Sequence, residues 1–124
     1  MNPKKTVLVV DDSVSVRQAI CAALDEAGYA HLEAEDGAQA LTLLDGRRIH
    51  LILCDLHMPN MDGISFVKRM KSMEHYRFTP VVMLTTESKE AKVVEGQMAG
   101  ARAWMYKPFR PERMMAVVAS MAQS

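Results

Sequence analysis

The sequence predicts an α/β fold: a doubly wound parallel sheet of five strands, with five helices covering its two faces. Three observations carry the prediction. Five short apolar runs alternate with amphipathic stretches along the 124 residues. Three of those runs, "VLVV" (7–10), "LILC" (51–54) and "VVML" (81–84), are continuously hydrophobic, the pattern of strands buried on both faces. A helical pattern follows every run, so successive strands are parallel and joined by right-handed crossovers.

The elements follow in order. The first strand is "TVLVV" (6–10). Ser13 then caps a helix whose apolar face holds Val16, Ile20, Ala23 and Leu24, and Gly28 stands just past its end, where a left-handed residue is needed. "AHLEA" (30–34) is the second strand and "DGAQALTLLDG" (36–46) a short second helix. After the third strand (51–54), "DGISFVKRMKSM" (62–73) turns Ile64, Phe66, Val67 and Met70 inward. The fourth strand (81–84) leads to "SKEAKVVEGQMAG" (88–100), the weakest helix, because the internal Gly96 costs about 1 kcal/mol relative to alanine. Its segment "KEAKVVE" (89–95) reads as a solvated helix face. "RAWMY" (102–106) is the fifth strand. The last helix, "RPERMMAVVASMA" (110–122), has Pro111 at a first helical position and Met114, Val117, Val118 and Met121 at helical spacing.

Composition narrows the function classes. At 49% hydrophobic and 24% charged, the chain suits one domain over residues 1–124 with a single core. Lys plus Arg and Asp plus Glu each number 15, so no global field draws nucleic acid or an anionic membrane. The two cysteines, Cys21 and Cys54, lack zinc-site or disulfide spacing, which points to a reducing cytoplasm and a core role for Cys54. No apolar run approaches the roughly 20 residues of a membrane span, and the apolar start is too short for a signal peptide. The methionines at 58, 61, 105, 114 and 115 read mainly as packing residues.

Ligands of such sheets bind beyond the carboxyl ends of the strands. Asp11 and Asp12 follow the first run, Asp55 the third, Thr85 and Thr86 the fourth, and Lys107 and Pro108 the fifth. Each motif alone is common in loops; their joint occurrence at four strand ends is specific. Two carboxylates about 5 Å apart repel by about 3 kcal/mol at an effective dielectric near 20, so three together imply a cation. Magnesium fits the oxygen donors better than zinc. An amine and a hydroxyl opposite it complete a receptacle for a phosphoryl group, with Asp55, alone on a central strand, as nucleophile.

"VVDDS" (9–13), "CDLHMPNMDG" (54–63), "MLTTES" (83–88) and "AWMYKPF" (103–109) resemble the receiver domains of two-component response regulators, over nearly the whole chain and most closely the stand-alone, CheY-like chemotaxis regulators. The resemblance implies a flavodoxin-like strand order 2-1-3-4-5. It implies that Asp55 accepts a phosphoryl group from a phosphohistidine on a sensor histidine kinase, a chemotaxis kinase by the resemblance. Asp12 and Asp55 would ligate Mg2+ with the backbone carbonyl of His57, and Asp11 would position it through water. Lys107 would pair with the phosphoryl group and Thr85 would hydrogen-bond it. Trp104 takes the position of the switch aromatic, more often tyrosine or phenylalanine, and the Lys107–Pro108 bond is expected to be cis. Thr86 stands where many relatives have alanine or another small residue, and His57 and Glu87 stand where the family varies and where side chains influence water access to the acyl phosphate.

The implied protein is a cytoplasmic, monomeric switch that catalyses only its own phosphorylation and dephosphorylation. It would meet a downstream protein through its fourth helix, fifth strand and fifth helix, with neither nucleic acid nor membrane as partner. Phosphorelay intermediates and phosphate sinks use the same pocket. Two rivals come from other classes. A haloacid-dehalogenase-type phosphatase wants an aspartate two residues after its nucleophile, where this chain has His57. A flavodoxin-like binding module wants a hydroxyl-rich phosphate loop where "DDSVS" offers acids.

Overall fold

Apolar runs rich in valine and leucine pair into one parallel sheet. The computed structural model describes residues 4–86 and 100–122. Its strands are β1 (Thr6–Val10), β2 (Ala30–Ala34), β3 (Leu51–Asp55), β4 (Val81–Thr85) and β5 (Ala103–Tyr106), in the order β2-β1-β3-β4-β5. Every pairing is parallel, and the registers Val10↔Ala34, Val10↔Cys54, Asp55↔Leu84 and Thr85↔Tyr106 bring the carboxyl ends to one edge.

The helices are α1 (Val14–Glu26), α2 (Gly37–Leu43), α3 (Gly63–Lys71) and α4 (Pro111–Met121). Five flanking helices were expected; the described residues contain four, and the count is corrected accordingly. Of the helix expected over 88–100, residues 88–99, with the 89–95 face, lie outside the described residues, as does Glu87. That stretch is also the one whose helical pattern is interrupted by glycine.

Local chemistry accounts for the helix starts. Ser13, Asp36 and Asp62 are N-caps whose side chains accept from the main-chain N–H of Val16, Gln39 and Ser65. Pro111 opens α4, where its missing N–H goes unneeded. Helix α2 stops at Leu43 rather than near 46: Leu44 turns out of helical geometry and buries its side chain, which a continuing helix would carry elsewhere.

Strand alternation divides the core in two. Leu8, Val10, Ile52, Cys54, Val81 and Met83 join Phe66, Val67 and Met70 on the α2/α3 side. Val7, Val9, Leu51, Leu53, Val82 and Leu84 join Ile20, Leu24, Met114 and Val118 on the α1/α4 side. Cys54 is fully buried within the first of these layers. Met105 and Met114 are core residues, and Met58, Met61 and Met115 pack partly buried against it. Among the described residues no helix is long and apolar enough to cross a membrane.

Candidate functional site

Asp55 was expected just beyond its strand, but it is the last residue of β3, and Thr85 is likewise the last of β4. Both are held by ladder pairing rather than by a loop. The main chain beyond Asp55 is fixed as well: Leu56 N–H donates to the Leu84 carbonyl at 3.0 Å, and Gly63 N–H returns to the Leu56 carbonyl at 3.0 Å. A Cβ at Gly63 would collide with the Asp55 carbonyl oxygen and come 2.8 Å from Met83 Cε, so α3 can approach β3 this closely only with glycine there.

A carboxylate oxygen from each of Asp11, Asp12 and Asp55 falls within 4.8 Å of the others. Asp11 is fully buried and Asp55 nearly so, while Asp12 is exposed. Lys107 reaches into this cluster from the end of β5. Its Nζ donates to Asp11 Oδ2 at 2.6 Å and lies 3.6 Å from Asp55 Oδ2. Asp11 Oδ1 accepts from the Ser13 N–H at 2.9 Å, so both of its oxygens are engaged. Burial first, and then the Asp11 charge, push Asp55 up to about 6, against the pull of Lys107 and a main-chain hydrogen bond from Leu56. The metal-free pocket is therefore over-supplied with negative charge, as a cation site must be before it is filled.

The donors are all oxygens, and the nearest cation is a lysine amine. Hard, oxygen-preferring divalent ions suit this set, and a carboxylate cluster of the kind that binds Mg2+ in receiver domains is present. Thr85 is fully buried at the strand edge, its carbonyl accepting from the Lys107 N–H at 2.8 Å. His57 is exposed and Thr86 is exposed, both on the rim. The Lys107–Pro108 peptide is cis. Trp104 pairs in register with Met83 and packs partly buried against the α2/α3 layer; its Nε1 is buried with no hydrogen-bond partner among the described residues.

Sequence reasoning missed two groups that hold this pocket. Arg17, one turn into α1, donates from its guanidinium to the Asp11 carbonyl and from Nε to Glu33 Oε1 at 3.2 Å, pinning the start of the acidic loop. A basic residue one turn after a cap, facing the preceding loop, was the available signal. Asn60, with φ of 67°, donates to Asp36 Oδ2 at 2.8 Å and ties the loop after β3 to the start of α2. The "PN" dipeptide marked the turn but not its partner.

The model of the response regulator receiver domain matches residues 7–119. The phosphate regulon transcriptional regulatory protein PhoB of Pseudomonas aeruginosa is 38% identical over 112 residues, covering 90% of this chain and 49% of its own. The chain thus spans about half the length of the curated PhoB relatives it matches. Among solved structures, Vibrio cholerae chemotaxis protein CheY4 superimposes with a TM-score of 0.91 at 40% identity, covering 96% of this chain and 99% of that one. The receiver domain of sensor histidine kinase PA1611 from Pseudomonas aeruginosa, solved with a magnesium ion coordinated in its active-site cleft, gives a TM-score of 0.90 at 25% identity, covering 98% and 100%. Sheet order, the three clustered acids and the family match agree, and the chain belongs to the response regulator receiver domain family.

Proposed function

We propose that this receiver takes a phosphoryl group from a phosphohistidine of a sensor histidine kinase onto Asp55 and passes the signal to a chemotaxis-type protein target in the cytoplasm. The observation that carries it is the placement of Asp55: a rigidly mounted, nearly buried carboxylate beside two other acids and an amine. Receiver domains are phosphorylation-dependent switches that catalyse only their own phosphorylation and dephosphorylation. Coverage of 99% of the CheY4 chain supports a chemotaxis-type output, and the two free, buried cysteines support a reducing compartment. A haloacid-dehalogenase phosphatase and a flavodoxin-like binder are set aside by the family match.

In this reading Asp55 is ionised at neutral pH, since its pKa of about 6 lies below 7. Its oxygen attacks phosphorus, the P–N bond breaks, and the electron pair leaves with the imidazole nitrogen, which takes up a proton. Lys107 shifts from Asp11 toward the new phosphoryl oxygens, and the Thr85 hydroxyl donates to them. Asp11, Asp12, Asp55 and the main-chain carbonyl of His57 would hold Mg2+. When bound, magnesium neutralises the charge that develops on the transferred phosphoryl oxygens. Movement at Thr85 is read at Trp104 on the neighbouring strand, and β5 and α4 carry the change to the partner.

The test is incubation with acetyl phosphate and magnesium, followed by intact mass and Trp104 fluorescence. The wild-type chain gains the mass of one phosphoryl group and its emission changes. A mass gain that survives in Asp55→Asn overturns the assignment of the acceptor.

A further inference from the structure

On the α1 side of β2, distinct from the acid pocket in its donor chemistry, stands a second set of metal-ligating groups. We propose that Cys21, His31 and Glu33 form a second metal site, for a borderline-soft divalent ion of the zinc type, with Asp25 as the group that orients His31.

The placement follows from the fold. His31 and Glu33 are two residues apart on β2 and so project from the same face of the sheet. Helix α1 packs on that face and turns Cys21 toward it, within the layer that holds Val7 and Val9. One donor atom from each of the three side chains lies within 4.8 Å of the other two. In a tetrahedral zinc site, ligands at about 2.0–2.3 Å from the metal are roughly 3.3–3.7 Å apart, a contraction that side-chain rotation supplies.

The donor chemistry separates this set from the acid pocket. One sulfur, one imidazole nitrogen and one carboxylate oxygen make the mixed set favoured by zinc, with the fourth position left to water; magnesium, which takes oxygen, has no use for it. His31 already has the outer partner that ligating histidines have: its Nε2 is 3.1 Å from Asp25 Oδ1. With the Nε2–H donating to the Asp25 carboxylate, the Nδ1 lone pair is the one left to ligate.

The surroundings favour a cation. Burial, Glu33 and Asp25 push the Cys21 thiol up to about 11, and the single opposing influence is Arg17. The thiol is therefore neutral until a metal displaces its proton to solvent. Glu33 holds Arg17 through Oε1 and keeps a second oxygen for ligation. Access is open, because the Glu33 side chain is 43% exposed and that of His31 24%, while Cys21 forms the buried floor.

Cobalt(II) is the probe, titrated into the full chain with magnesium in excess to fill the acid pocket. Binding at this site gives a thiolate-to-cobalt charge-transfer band that saturates at a single ion per chain and is displaced by zinc. Cys21→Ser removes the band, and His31→Gln and Asp25→Ala each weaken binding tenfold or more. Cys54→Ala and Asp55→Asn keep it. Thermal melts establish that each variant is folded, and His31→Gln, at a partly exposed position, decides the matter should Cys21→Ser not fold. No thiolate band in the folded wild-type chain, an unchanged band in Cys21→Ser, or unchanged affinity in His31→Gln overturns the proposal.

Discussion

At the scale of the residue, Asp55 shows what a functional position demands of its surroundings. Without metal its folded-state pKa of about 6 stands above the ~3.9 of an unfolded aspartate, raised chiefly by burial and Asp11. The native state therefore binds the extra proton between those values. Stability falls as pH rises through that window, and the penalty is complete above about pH 6. Asp55→Asn lifts it: in chelator at pH 8 the variant should be about 1–3 kcal/mol more stable than the parent, with the gain shrinking as pH falls through about 6 and gone by about pH 4. Urea unfolding at both pH values checks this, and equal midpoints at pH 8 would contradict it. Gly63 makes the complementary point about space. Gly63→Ala drives a methyl group into the Asp55 carbonyl oxygen and Met83, so it should cost about 1–3 kcal/mol and slow phosphorylation by acetyl phosphate. An alanine variant with parental stability and rate would show that α3 can withdraw freely.

At the scale of the element, the strands are registered by contacts outside their own ladders. The loop before β3 is clipped to the start of β1: the Thr6 N–H donates to His50 Nδ1 at 3.0 Å, and the His50 N–H donates to the Thr6 carbonyl at 2.9 Å. The first bond needs a neutral ring. Burial, with Arg48 and Lys5 nearby, holds the His50 pKa below its ordinary value. A depressed folded pKa means stability that is complete above the unfolded value of ~6.5 and is lost as pH falls through the folded value. His50→Asn, which offers an uncharged acceptor, should flatten the decline in melting temperature between pH 7 and 5; an unchanged slope would assign that decline to other groups. The element scale is also where sequence patterns ran short. The cap at Ser13 was legible because it is local chemistry, and the structure shows Asp36 and Asp62 capping α2 and α3 by the same rule. The stop of α2 at Leu43 was not, because it depends on where the Leu44 side chain is buried in the assembled core.

At the scale of the whole molecule, the pocket exists because a 2-1-3-4-5 sheet collects distant strand ends at one edge. Lys107 and Asp11 are 96 residues apart and form a 2.6 Å bond there. The folded chain thus presents a cluster of three acids that the unfolded chain lacks, so magnesium should raise the melting temperature, with a stabilisation of about 2.7 kcal/mol at one hundred times its dissociation constant. Asp12→Ala, which removes an exposed carboxylate without disturbing the buried Asp11–Lys107 pair, should abolish that rise while leaving the metal-free melt nearly unchanged. A magnesium response that persists in Asp12→Ala would mean that this acid does not hold the ion.

The sequence by itself determined the alternation of strands and helices, the cap at Ser13, and the residue types at the strand ends, because periodicity, turn chemistry and charge are properties of neighbours along the chain. It supplied Asp11, Asp12, Asp55, Thr85 and Lys107 as candidates. Only the tertiary structure decided that Asp11 is the acid Lys107 holds, that Asp55 closes its strand instead of opening a loop, and that Gly63 makes room for it. Only the structure, too, brought Cys21 from a helix to His31 and Glu33 on an edge strand. Those outcomes depend on register and on the packing of helix against sheet. They are set by contacts between residues far apart in sequence, which no local pattern contains.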